Sequence, residues 1–217
     1  MENALLSECI LFRQISEAEI PQVLELLRAY EKRFEKGAQI LSAGHTTEWM
    51  GLVLSGSVTV QSNDLWGNRT ILHHVGRADF FAETFAWLRD VPMPVEVIAN
   101  EDCAVLFLNI GLLPALSPVQ HPWVPTLGVN LLTITAHKNL LLAGRSFHTS
   151  PKSARARIMS YLNSVAVQAQ SRQFDIPFDR QQLADYLNLD RSVLSRELGR
   201  MQEEGLIRTR KNHFVLL

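Results

Sequence analysis

The stretch DRSVLSREL, residues 190–198, sets two arginines and two serines against three aliphatic residues. Wound as a helix from an N-cap at Asp190, it brings Leu194, Leu198 and Met201 to i, i+4 and i+7 on one face, a stripe suited to a core. Arg191, Ser192, Ser195 and Arg196 fall at i, i+1, i+4 and i+5 and project from the opposite side, near the helix N-terminus. An arginine fork matches the two acceptors of guanine in the major groove, small hydroxyls reach bases or phosphates, and the positive end of the helix dipole favours a phosphate. A solvated helix surface carries the same residue types, so the flanking chain has to decide between the two readings.

Upstream, FDRQQLADYLNL (178–189) supplies Asp179 as an N-cap with Gln182 three residues on, a capping box, followed by Leu183, Ala184 and Leu187 at helical spacing. Only Asn188 and Leu189 separate that first helix from the cap at Asp190, so two short helices must cross steeply: a helix-turn-helix. Downstream, Gly205 is a C-cap signal and LIRTRKNHFVLL (206–217) reads as two strands around Lys211-Asn212, a wing. Arg208, Arg210 and Lys211 on the wing, with Arg180 at the start of the first helix, join the four face residues as candidates for contact with double-stranded DNA. The charge distribution agrees. The chain is formally −1, but residues 145–217 hold 12 Lys+Arg against 7 Asp+Glu and residues 1–144 hold 9 against 15. A basic reader attached to an acidic module follows from that split.

From Phe34 to Leu108 the chain is a series of short apolar runs, AQILSAG, MGLVLSGSVTVQS, NRTILHHVG and VEVIANEDCAVLFL, punctuated by glycines at 37, 44, 51, 56, 67 and 76. Val58 and Val60 alternate with Thr59 and Gln61. Strands of this length and spacing predict an antiparallel barrel or sandwich, with DFFAETFAWL (79–88) as a short helical or looped insertion. After Pro118, Pro122 and Pro125 comes a long helical segment in which Leu127, Leu131, Ile134 and Leu141 step by 4, 3 and 7, a seam along which two copies would pair. Leu132, Leu140 and Leu142 form a second flank, assigned to the barrel side, and His148–Ser150 is read as a hinge before a helix capped by Ser150 with Pro151 at its first position.

The fold class is therefore α+β: a jelly-roll-like, cupin-like sensor over 1–122, a dimerisation helix over 123–148 and a winged helix-turn-helix over 149–217. The N-terminus MENALLSECILF lacks a basic leader and a sustained apolar stretch, and no apolar run reaches the ~18 residues a membrane span needs, so a cytoplasmic protein is expected. Cys9 and Cys103 form no local metal motif and are expected reduced.

Barrel, long helix, hinge and winged helix-turn-helix, in this order and length, resemble the Crp/Fnr family of bacterial transcription regulators. The likeness is carried by FEKGAQILSAG (34–44), LVLSGSVTV (52–60), GNRTILHHVGRADFFAE (67–83) and FDRQQLADYLNLDRSVLSRELGRMQEEGLI (178–207). It implies a homodimer on a two-fold palindrome, RNA polymerase as a partner, an effector that biases the hinge, and base reading by Arg191, Ser192, Ser195 and Arg196. The family usually has a glutamate where Ser192 stands, so guanine reading by Arg196 is expected with altered discrimination at the base pair facing Ser192.

The effector is where the resemblance thins. The cyclic-AMP branch uses a Phe-Gly-Glu loop and a phosphate-binding Arg-Ser pair; here Phe81-Ala82-Glu83 and Met93-Pro94 occupy those places, with Leu142 and Ala143 where polar groups would face the adenine. Without the arginine fork cyclic AMP is not expected. Two cysteines are too few for an iron-sulfur cluster, adjacent His73 and His74 would point to opposite faces of a strand, and a lone His121 is a poor basis for haem. What is left is an effector pocket around Phe81, Glu83, Phe85, Trp87, Met93 and Leu140, suited to a small, largely apolar ligand, with no cofactor or metal assigned. The alternatives are a regulator active without any effector, or a cupin-like small-molecule-binding or enzymatic barrel whose C-terminal helices merely pack.

Overall fold

The computed structural model describes residues 3–63 and 69–217, so Gly67, expected at a turn, lies outside the described residues. The chain divides into two compact units, Met1–Lys138 and Asn139–Leu217. The first begins with α1 (Asn3–Glu8), a 3-10 turn (Ile10–Phe12) and α2 (Ile20–Leu26), elements that the strand pattern of the sequence did not announce. Then follow β1 (Tyr30–Phe34), β2 (Gln39–Leu41), β3 (Met50–Ser55), β4 (Val58–Asn63), β5 (Arg69–Val75), β6 (Phe80–Phe81), α3 (Glu83–Leu88), β7 (Glu96–Ala99) and β8 (Cys103–Leu108). The strands pair antiparallel in two four-stranded sheets, ordered β1-β8-β3-β6 and β2-β7-β4-β5, the expected jelly roll.

The sheet built on β3 and β8 is buried on both faces, which is why those strands read as continuous apolar runs. Met50, Leu52, Leu106 and Leu108 join one core with the N-terminal helices, whereas Val53, Val105 and Phe107, one residue out of phase, join another with Val58, Val75 and Val97 of the facing sheet. Phe81 belongs to this inner core, and its ring covers Gly51 so closely that a Cβ there would fall among the ring atoms.

A 3-10 stretch (Ile110–Ala115) leads to α4 (Val124–Thr149), one uninterrupted helix. Leu127, Leu131 and Ile134 are buried in the core of the first unit, and Asn130 donates to the carbonyls of Leu11 and Arg13 at 2.9 and 2.8 Å, fixing which side of α4 faces inward. The boundary between units falls inside α4, between Lys138 and Asn139, and α4 itself ends at Thr149, within the expected hinge at His148–Ser150.

The second unit continues with α5 (Ala154–Ala169), β9 (Gln173–Asp175), α6 (Arg180–Leu187), α7 (Arg191–Glu203), β10 (Ile207–Arg210) and β11 (His213–Leu216), the strands ordered β10-β11-β9. The expected cap at Ser150 gives way to Ser153, whose hydroxyl accepts from the Ala156 amide at 3.1 Å. A serine at either place is a competent cap, and Ser150 is instead spent on the Ser146 carbonyl at 2.6 Å, closing the end of α4.

Candidate functional site

The recognition stripe behaves as its spacing requires. Leu194, Leu198 and Met201 are at most 2% exposed and pack with Ile158, Leu162, Leu183 and Phe214, each such burial contributing ~1.5–3 kcal/mol. Arg191, Ser192, Ser195 and Arg196 are exposed on the other side, and among the described residues their side chains hydrogen-bond to no other. Asp190 stands at the N-cap with extended backbone but makes no side-chain cap bond, which leaves the first amides of α7 free for an outside acceptor. Behind α7, Arg155 bonds Glu197 at 2.6 Å and both Glu204 oxygens at 2.7 and 2.8 Å, stapling α5 to α7 away from the exposed face.

The first helix of the pair is held at both ends. Its capping box is present, with Asp179 accepting from the Gln182 amide at 2.8 Å and Gln182 returning the bond at 2.9 Å. At the other end Asn188 takes the left-handed conformation at φ 53°, and two arginines cover the free carbonyls. Arg145 donates to Asp185 and Tyr186 at 3.0 and 3.1 Å, and Arg157 to Leu187 and Asn188 at 3.3 and 2.8 Å. His148 completes this clamp through a 3.0 Å contact with the Tyr186 hydroxyl, its ring packed against Tyr161 and Tyr186. These positioning residues lie before the helix-turn-helix in sequence and carry no local motif.

Of the remaining candidates, Arg208, Arg210 and Lys211 are exposed on the wing, with Lys211 at φ 56° in its tip. Arg180 is used differently: its guanidinium donates to the Thr209 hydroxyl at 2.8 Å and lies over the Phe214 ring, tying α6 to the wing. Arg191, Lys211 and the N-terminus of α6 nevertheless share one open hollow with Asp179 and Asn212, a concave cationic surface beside the N-terminus of α7.

The six expected pocket residues do not converge. Glu83 and Trp87 line a hollow of about 230 Å³ with Ile110, Gly128, Leu131, Leu132 and Thr135. Phe81 points into the inner core, Met93 is buried with its amide bonded to His45, Phe85 is half-buried off the hollow, and Leu140 is exposed in the second unit. The reason is period: Phe80 and Phe81 face opposite sides of their sheet, so neighbours in sequence enter different cores. Glu83, 6% exposed, pairs with Lys138 of α4 at 2.9 Å, and the same ammonium bonds the Phe80 carbonyl.

Residues 31–115 match the family described as cyclic nucleotide-binding domain and residues 156–217 the one described as Crp-like helix-turn-helix domain. The chain belongs to the Crp/Fnr family. Members of the Crp/Fnr family are transcription regulators, not enzymes, and this one carries their helix-turn-helix DNA-binding domain. Transcriptional activator protein FnrL of Cereibacter sphaeroides is 24% identical over 207 residues, spanning 87% of this chain and 76% of FnrL. FixK2 from Bradyrhizobium japonicum shares the fold with a TM-score of 0.59 at 20% identity, over 87% of this chain and 92% of FixK2. The c-di-GMP responsive regulator CLP of Xanthomonas campestris does so with a TM-score of 0.66 at 17% identity, over 93% of this chain and 99% of CLP.

Within this Crp/Fnr chain the expected pairing seam is corrected by burial: Leu127, Leu131 and Ile134 are 0%, 6% and 4% exposed, consumed by the core of their own unit. The apolar residues left in solvent along α4 are Val129, Leu132, Leu140, Leu141, Leu142 and Phe147, so Leu141 alone of the expected seam remains free. No group of three or more His, Cys, Asp or Glu side chains could hold a metal among the described residues. His73 and His74 do part to opposite faces, His74 against the Thr59 hydroxyl at 3.0 Å and His73 toward Asp79 at 3.6 Å. Cys9 and Cys103 are both buried, in separate cores, and burial raises both thiols, Cys9 to about 11. Among the described residues no helix is long and apolar enough to cross a membrane.

Proposed function

We propose that the chain is a homodimeric regulator that reads a two-fold palindrome in double-stranded DNA through Arg191, Ser192, Ser195 and Arg196, contacts phosphates through the wing, and acts on RNA polymerase under control of a small effector other than cyclic AMP. The observation that carries the reading is the division of α7: one face locked in a core by Leu194, Leu198 and Met201, the other presenting four unengaged donors beside a cationic hollow. Homodimerisation is supported by the spacing of the exposed and half-buried residues on α4. Val129, Leu132, Ala136, Leu140, Ala143 and Phe147 step by three or four, the rhythm of a coiled-coil seam, and four of them are large apolar groups left in solvent. Arg196→Ala tests the reading face. Operator affinity falls by ~1–3 kcal/mol, the worth of one bidentate base contact, and preference at one base pair of each half-site relaxes while the thermal melt is unchanged. Unaltered affinity and preference would remove Arg196 from the interface.

A further inference from the structure

We propose that the hollow between α3 and α4 is a binding site for a compact, neutral, mostly apolar molecule that carries one N–H or O–H donor. The assignment deepens the effector reading above and rests on it only for the consequence in regulation; every lining residue belongs to the first unit, Leu132 being shared with the proposed pairing face.

Three independent features define the site. The first is size and lining: about 230 Å³, walled by Trp87, Ile110, Leu131 and Leu132. An apolar cavity of ~150 Å³ accepts benzene, so a bicyclic aromatic is a fitting occupant. The second is a polar anchor. Glu83 lines the hollow and is 6% exposed; one of its oxygens is held by Lys138 at 2.9 Å, and among the described residues the other has no protein donor. Thr135 offers no donor, its hydroxyl hydrogen being shared between the Leu131 and Leu132 carbonyls at 3.1 and 2.9 Å, so it too can only accept from a ligand. Because Lys138 already balances the carboxylate, a cation gains little there and an anion meets an oxygen lone pair, which selects a neutral donor.

The third feature is Gly128. Glycine inside a helix is destabilising relative to alanine, and packing within the chain does not require it, since a Cβ at 128 would meet nothing within 4 Å. The missing side chain leaves the wall of the hollow open. None of Phe81, Val97 and Phe107, which fill the space between the two sheets, lines it, so this site lies outside the roll.

The experiment is calorimetric titration of the full-length protein, without DNA, with indole and with benzofuran, which keeps the bicyclic shape but loses the donor. Indole binds saturably, and benzofuran binds roughly ten-fold or more weakly, the loss of one charge-assisted hydrogen bond. Gly128→Leu abolishes indole binding, and Trp87→Ala, a change at a half-exposed wall residue, weakens it, both with wild-type circular dichroism and sedimentation. Absence of saturable binding at millimolar indole, equal affinity for the two probes, or wild-type binding by both variants would overturn the proposal. So would dissociation of a dimer by Gly128→Leu, which would give the hollow to the contact between copies. None of these results alters DNA reading through Arg196, so failure of the site and failure of the regulator reading are separable.

Discussion

Ala82 sits where the family's cyclic-AMP branch has glycine, and it keeps the left-handed backbone, at φ 62°, that glycine adopts without strain. An L-residue pays roughly 1–2 kcal/mol there, while glycine costs ~0.5–1 kcal/mol more chain entropy on folding. Ala82→Gly therefore stabilises the first unit by up to ~1 kcal/mol in chemical denaturation, and a destabilised variant would show that the methyl packs usefully. His148 carries a pH dependence. Burial lowers its pKa from the ordinary value of 6.5, with its Nδ1 3.0 Å from the Tyr186 hydroxyl and its ring packed against Tyr161 and Tyr186. A histidine depressed in the folded state contributes stability above its unfolded pKa and loses it as pH falls through the folded one. The second unit thus weakens progressively below pH ~6.5, and His148→Gln flattens that limb of a thermal-melt profile. A profile identical to wild type would remove His148 from the clamp on α6.

At the scale of elements, α4 carries the proposed assembly. Exposed Leu132 and Leu140 place charge on the pairing face when changed to glutamate, so Leu132→Glu with Leu140→Glu yields a folded monomer in sedimentation, whereas Leu131→Glu unfolds the first unit instead. A dimer that survives the double change would place the contact elsewhere. This helix also shows where sequence reading stops. Its apolar residues satisfy two stripes at once, and periodicity cannot say which is taken by the chain's own core. That choice is made by α1, α2 and Asn130, whose partners lie more than a hundred residues away. The helix-turn-helix was legible for the opposite reason, since caps, spacing and wing are all local signals and each agrees with the others. Of the residues expected around an effector, only Glu83 and Trp87 line the hollow, because the alternation of Phe80 and Phe81 between two cores depends on a sheet buried on both faces.

For the whole molecule, the division of charge matches the division of labour. The basic residues that would meet a phosphate backbone gather from residue 145 onward, with 12 Lys+Arg against 7 Asp+Glu, and the acidic excess stays with residues 1–144. The two units share α4, whose first part is built into the core of the first and whose last residues clamp α6 within the second. The central claim, that this architecture reads a two-fold DNA site, is tested most directly by selecting bound duplexes from a fully randomised library at one stated salt concentration with the purified full-length protein. The account predicts enrichment of a palindrome with a guanine in each half-site, the half-sites one helical turn apart. Retention without sequence enrichment, or enrichment of a single asymmetric site, would contradict it.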